Sequence, residues 1–220
     1  MTHLVLFDVD GTLLLSHDEL YVRANSDALR EVYGVTGMKH PDDPGDTALH
    51  YTRLVLEAAG LDDRQIDAGL DQWCAAISRR YVELLAGADT SDWKIPPNAA
   101  QTLTRIPHRA LLTGNPEPIA RARLQRMELG RLFPAGEGAF GCERERRAAL
   151  IELALARAGD WPADRAVAVG DTPRDIQTAH EAGARCIAVA TGAFDRKGLA
   201  AADRVVDELA ELPDALASLD

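Results

Sequence analysis

Hydrophobic and polar positions follow two different periods along this chain. Four short apolar runs, LVLF at 4–7, RALLT at 109–113, AVAVG at 166–170 and RCIAVA at 185–190, each end at a polar or glycine-containing turn and give way to a helical pattern. Runs this short and continuous predict strands buried on both faces and joined by crossover helices into a parallel sheet. Between roughly 17 and 92 that rhythm stops, and Ile66, Leu70, Trp73, Ile77, Tyr81 and Leu84 recur every three or four positions, the spacing of a helix face. Two shorter helical segments precede it, near 18–33 and 46–59, divided by the turn-rich HPDDPGD at 40–46 and closed by Gly60. The stretch ends in ADTSDWKIPPN at 88–98, where prolines break the helix and Asn98 is placed to cap the next. The pattern predicts an α/β chain: a doubly wound parallel sheet from 1–16 and 94–220, with an all-helical domain over 17–93 inserted after the first strand.

Ligands of such sheets bind at the carboxyl ends of the strands, which here carry Asp8, Thr113, Asp171 and Thr191. At DVDGT, 8–12, alternate side chains of an extended segment share a face, so Asp8 and Asp10 converge while Val9 points away, and Gly11 permits a conformation other residues resist. A buried carboxylate without a partner is costly, so such a pair either faces water or serves a purpose. One carboxylate can attack phosphorus while a second protonates the leaving oxygen and later activates water. Two acids so close also call for a cation, and Mg²⁺ favours oxygen ligands together with substrate phosphate.

A second acidic cluster lies in VAVGDTPRDIQTAHEAG, 167–183, with Asp171 placed as an N-cap, Pro173 early in the helix and Asp175 in its first turn. Taken singly, these acids read as helix caps complementing the dipole; their place at a strand end matching Asp8 argues otherwise. In LLTGNPEP, 111–118, the Thr113 hydroxyl and the backbone amides of Gly114 and Asn115 before a helix start suit a phosphate, although TGNP alone is above all a turn. A fixed cation for the transferred group is sought in GCERERRAAL, 141–150, where Glu143, Arg144, Glu145 and Arg146 read as a solvated helix face.

Charge and composition narrow the partners. Lys and Arg total 24 against 35 Asp and Glu, and a net charge of -11 repels nucleic acid and anionic membranes. Cys74, Cys142 and Cys186 are odd in number and far apart, so they read as buried or idle thiols in a reducing cytoplasm rather than a disulfide framework or zinc site. No apolar run approaches the ~20 residues that span a bilayer, so the expectation is a cytoplasmic protein. The histidines have no metal-ligand spacing; His40, in the HPDDPGD loop, is a candidate substrate contact.

DVDGT at 8–12, LLTGN at 111–115, the arginine heading RAALIELALARA at 147–158 and GDTPRD at 170–175, in that order, resemble the four motifs of the haloacid dehalogenase superfamily. That resemblance implies a Rossmann-like core and Mg²⁺-dependent phosphoryl transfer. It implies Asp8 as nucleophile, Asp10 as general acid and base that also binds metal through its backbone carbonyl, and Thr113, with Gly114 and Asn115, at the phosphate. It also gives Arg147 the role of fixed cation, and has Asp171 and Asp175 complete a metal site with Asp8 and Asp10. The inserted helices would be a mobile cap domain that excludes water and reads the substrate. HPDDPGD would then supply His40, Asp42 and Asp43 as specificity residues.

The Lys-Pro-x-Pro form of the third motif, common in phosphoglycolate phosphatases and β-phosphoglucomutases, is missing, so neither assignment transfers directly. Asp10 argues against a dehalogenase, since expelling halide needs no proton donor. The expectation is a phosphatase of small phosphorylated metabolites working through an aspartyl-phosphate, as monomer or homodimer. The alternatives are a phosphomutase and a catalytically idle binding module.

Overall fold

The computed structural model describes residues 2–37 and 45–219. Its core is a six-stranded sheet of β1 (Leu4–Phe7), β2 (Arg109–Thr113), β3 (Ala139–Phe140), β4 (Ala166–Gly170), β5 (Arg185–Val189) and β6 (Arg204–Val206). The strands are all parallel in the order β3-β2-β1-β4-β5-β6. This is the doubly wound Rossmann-like order, in which the chain leaves β1 in one direction and later returns to its other side. The four strands expected from the apolar runs are all present. The two further strands are edge strands of two and three residues, too short to carry a period.

Odd and even positions of the strands face opposite layers, as a period of two requires. Val5, Phe7, Val167, Val169, Ile187 and Val189 pack with α5 (Ala99–Thr104), α6 (Glu117–Arg126) and α9 (Leu212–Ala217). Leu4, Leu6, Ala110, Leu112, Ala168 and Ala188 pack with α7 (Arg147–Arg157) and α8 (Pro173–Glu181). Burial on both sides explains why these segments lack polar alternation.

Between β1 and β2 the chain makes a helical excursion of α1 (Glu19–Tyr33), α2 (Ala48–Ala58), α3 (Asp63–Asp67) and α4 (Leu70–Ala86). Its own apolar cluster includes Ala28, Leu29, Val55, Leu56, Ile66, Trp73, Ile77 and Tyr81, with Ile119 contributed by α6. The period from Ile66 to Leu84 predicts one helix, but the structure has two. The Ile66 carbonyl accepts the Tyr33 hydroxyl at 2.7 Å, and a side chain at Gly69 would stand 2.7 Å from the Tyr33 ring, so the chain turns there against α1.

Local details depart from the sequence reading in other places. Asn98 holds the N-cap position of α5 but sits at φ 57 and accepts no capping bond through its side chain. Thr172, not Asp171, caps α8, because its hydroxyl accepts the Asp175 amide while Asp175 reaches back to the Thr172 amide. Glu143–Arg146 form turns ahead of α7 rather than a helix face.

The idle-thiol expectation is also corrected. Cys74 of α4 and Cys142, just after β3, form a disulfide, whereas Cys186 is buried on β5 as a free thiol. Partners 68 positions apart leave no local signal; the fold brings them together by packing α4 beside the β3 edge.

Further hydrogen bonds help to seat the excursion on the sheet domain. Ala48 N–H donates to Gly114 C=O at 2.8 Å and Leu49 N–H to Gly141 C=O at 3.0 Å. Arg53 forks onto Glu145 at 2.9 and 2.6 Å. His40, Asp42 and Asp43 lie outside the described residues. Among the described residues no helix is long and apolar enough to cross a membrane.

Candidate functional site

Neighbouring strands bring Asp8 and Asp171 side by side: β1 pairs with β4 in the register Phe7↔Val169, and Asp8 N–H donates to Val169 C=O at 2.9 Å. Asp175 joins them from the first turn of α8. All three are buried, each offering a carboxylate oxygen within 4.8 Å of the others. Two glycines make room for this cluster. A Cβ on Gly11, at φ +72, would lie 2.2 Å from the Asp171 carboxylate, and one on Gly192 would lie 1.6 Å from it.

Arg147, at the start of α7, is the cation facing these acids. It donates to Asp175 at 2.7 Å, stands 3.4 Å from Asp8, and donates to the Gly45 carbonyl at 2.5 Å. Arg144 and Arg146 turn outward, to the Glu143 carbonyl and to Glu152.

Burial pushes the Asp8 carboxyl well above the usual carboxylate range; Arg147 opposes this, and Asp175, Asp10 and Asp171 add to it. Burial and then Asp175 push Asp171 up to about 7. For Arg147 burial works against the charge, but Asp175 and Asp8 outweigh it and its pKa is raised. Asp171 Oδ1 is buried and accepts no hydrogen bond among the described residues. Three hard oxygen donors sharing one fixed cation, with a carboxylate oxygen left over, fit a divalent metal ion.

Asp10 takes a different course. Its side chain is half exposed, and both oxygens accept from Arg123 Nη1 at 3.0 Å, with Asn115 Nδ2 2.5 Å from Oδ2. The structure therefore places Asp10 on the same cavity as Asp8 but leaves its carboxylate outside the three-acid cluster. Asn115 also donates to the Thr113 hydroxyl at 3.0 Å, so the TGN turn and Asp10 are held as one unit. Gly114 packs against the excursion, where a Cβ would meet the Asp46 carbonyl at 1.9 Å.

Asp8, Asp10, Asp171, Arg147 and the turn at 113–115 line a cavity of about 580 Å³ that also receives His17, Tyr21 and Tyr51 from the excursion. Arg123 joins the site without a motif to mark it. It lies on α6, is 2% exposed, and bonds Asp18 through Nε at 2.9 Å and Nη2 at 2.8 Å. Burial disfavours its charge, yet Asp10, Tyr81 and Asp18 outweigh this and raise its pKa. In the segment PIARARLQR it looks like one more surface arginine, and no local signal separates it from Arg121 or Arg126.

Known proteins resemble this chain in sequence and in fold. The HAD-hydrolase-like family model matches residues 146–212. A phosphoglycolate phosphatase from Synechococcus elongatus is 30% identical over 205 residues, covering 90% of this chain and 88% of its own. One from Pseudomonas savastanoi pv. phaseolicola is 26% identical over 220 residues, covering 95% and 78%. Among solved structures, CbbY from Rhodobacter sphaeroides in complex with phosphate shares the fold at a TM-score of 0.66 with 24% identity, covering 96% of each chain. A chain described as a β-phosphoglucomutase from Bacteroides vulgatus shares it at 0.65 with 18% identity, covering 99% of this chain and 90% of that one.

The chain belongs to the HAD-like hydrolases. Within them it is a phosphatase, a hydrolase of phosphoric monoesters.

Proposed function

We propose that Asp8 carries the phosphoryl group in this hydrolysis. A carboxylate oxygen of Asp8 attacks phosphorus, and the P–O bond to the alcohol breaks as Asp10 gives its proton to the departing oxygen. Water then attacks the aspartyl-phosphate, losing a proton to Asp10, and phosphate leaves with Asp8 restored. Arg147 offsets charge on Asp8 and on the transferred group, and Thr113 with the Gly114 and Asn115 amides receives the phosphate oxygens.

The observation that carries this reading is the burial of Asp8, Asp171 and Asp175 around one arginine at the carboxyl edge of the sheet. Mg²⁺ is the cofactor proposed: Asp8, Asp171 and Asp175 would hold it by their carboxylates and Asp10 by its backbone carbonyl. When bound it would neutralise acids and phosphate together.

The excursion over 17–93 is proposed as a cap domain, supported by its separate apolar cluster and by the residues it adds to the cavity wall. The substrate is a small phosphorylated metabolite rather than nucleic acid, in keeping with the net charge of -11. Phosphoglycolate is the first ester to test, since relatives across 95% and 90% of the chain carry that name, even though the third motif lacks the Lys-Pro-x-Pro form. A cytoplasmic location goes with this reading.

The test is phosphate release by purified protein with Mg²⁺ from a generic aryl phosphate and from phosphoglycolate. Asp8→Asn should abolish release from both while its circular dichroism stays that of the parent. Turnover undiminished by the substitution would exclude the nucleophile, and return of the phosphoryl group to a sugar would mark a mutase.

A further inference from the structure

Arg123 is a buried cation that the steps above do not use. It occupies the joint between the sheet domain and the excursion: its own helix is α6, yet Asp18 and Tyr21 come from the entry to α1 and Tyr81 from α4. Asp18 Oδ2 accepts from Arg123 and from the Tyr81 hydroxyl at 2.5 Å, while Asp18 Oδ1 accepts the Leu20 amide and caps α1. The guanidinium lies over the rings of Tyr21 and Tyr81 at 5.4 and 5.2 Å. Its remaining nitrogen, Nη1, holds both oxygens of Asp10 and the Asn115 side-chain carbonyl, each at 3.0 Å.

One positive charge thus spans two carboxylates, one at the head of an excursion helix and one on the proposed proton carrier. It is not a free ligand for substrate, because its donors are already committed to these partners. A planar fork is the side chain that can hold both acids in fixed directions at once; an ammonium is a point charge and cannot.

We propose that Arg123 is a positioning residue, fixing the direction of the Asp10 carboxyl at the leaving-group oxygen and tying that direction to the seating of the excursion through Asp18 and Tyr81. This rests on the assignment of Asp10 as proton donor. It follows that Arg123 matters most for esters whose alcohol needs a proton to depart. An aryl phosphate with a nitrophenolate leaving group departs unassisted, whereas an alkyl phosphate does not.

The experiment compares kcat/KM, which covers the steps through departure of the alcohol, for an alkyl phosphate and for p-nitrophenyl phosphate. Arg123→Lys keeps the charge and should lower the alkyl value roughly 10- to 100-fold, a partial loss that stops at the lower end of general-acid effects, and the aryl value by less than about threefold. Asp18→Asn leaves Arg123 in place and should show the same selectivity at a few-fold, whatever the fate of the lysine variant. In an Asp10→Asn background, Arg123→Lys should cause no further loss, because its effect passes through Asp10. Equal loss on both esters, or additive loss in that background, would overturn the proposal. Wild-type protein that releases phosphate from neither ester would instead remove the functional reading beneath it.

Discussion

Cys74 and Cys142 are joined across 6.2 Å between their Cα atoms, so α4 of the excursion is covalently tied to the turn behind β3. The bond closes a loop of 68 positions. Loop-closure entropy for a ring of this size amounts to about 4 kcal/mol, and measured values commonly fall somewhat below it.

Cys74→Ser should therefore lower oxidised stability by roughly 2–4 kcal/mol in denaturant titration, and reductant should bring the parent down to the variant. Peptide mapping without reduction should recover the Cys74–Cys142 pair and a lone Cys186. Alkylation of all three thiols in the untreated native protein would refute the tether. In a reducing cytoplasm the bond would be one that opens and closes with the thiol pool.

Arg147 stands between Asp8 and Asp175, and its removal leaves buried acids facing one another. Arg147→Ala should reduce kcat by roughly a hundredfold or more, with Arg147→Lys recovering part of the loss. Steady-state kinetics on any accepted ester checks this, and an unchanged kcat would move the fixed-cation role elsewhere.

The raised pKa values set a pH dependence for the metal-free protein. Asp171 titrates near 7 when folded, whereas an unfolded aspartate sheds its proton near pH 4. Between those values the folded state holds the extra proton, so stability falls as pH rises, by on the order of 1 kcal/mol per pH unit. Asp8, also raised, adds in the same direction. Melting temperature in a chelator should decline from about pH 4 to about pH 7 on this account, and Mg²⁺ should restore more of it at neutral than at acidic pH. Identical curves with and without Mg²⁺ would count against the metal site.

Gly192 makes a purely steric prediction, because it needs no unusual backbone angle. Its missing Cβ would stand 1.6 Å from Asp171 Oδ2. Gly192→Ala must displace that carboxylate, so Mg²⁺ affinity measured by calorimetry should weaken at least about tenfold, as losses around metal ligands do. Unaltered affinity would show that Asp171 is not a ligand.

The central strands were legible because burial on both faces leaves short apolar runs with nothing else to resemble. Asp8, Thr113 and Asp171 could then be found by position alone, as residues at the ends of those runs. The edge strands β3 and β6 are too brief to carry a pattern. Arg123 stayed hidden because its partners lie 105 and 113 positions away, and only the docking of the excursion turns a surface-like arginine into a buried junction. The disulfide was hidden for the same reason, since pairing is a property of the packed chain rather than of spacing.

The amides of Ala48 and Leu49, at the head of α2, are bonded to carbonyls of the Gly114 and Gly141 loops rather than to their own helix. The excursion is therefore latched at the turn proposed to receive phosphate and at the adjoining Gly141 loop, and cannot swing aside without releasing those two bonds. Deuterium uptake at these two positions would therefore read the free energy of unlatching: the slower the uptake against that of a free amide, the rarer the opened state.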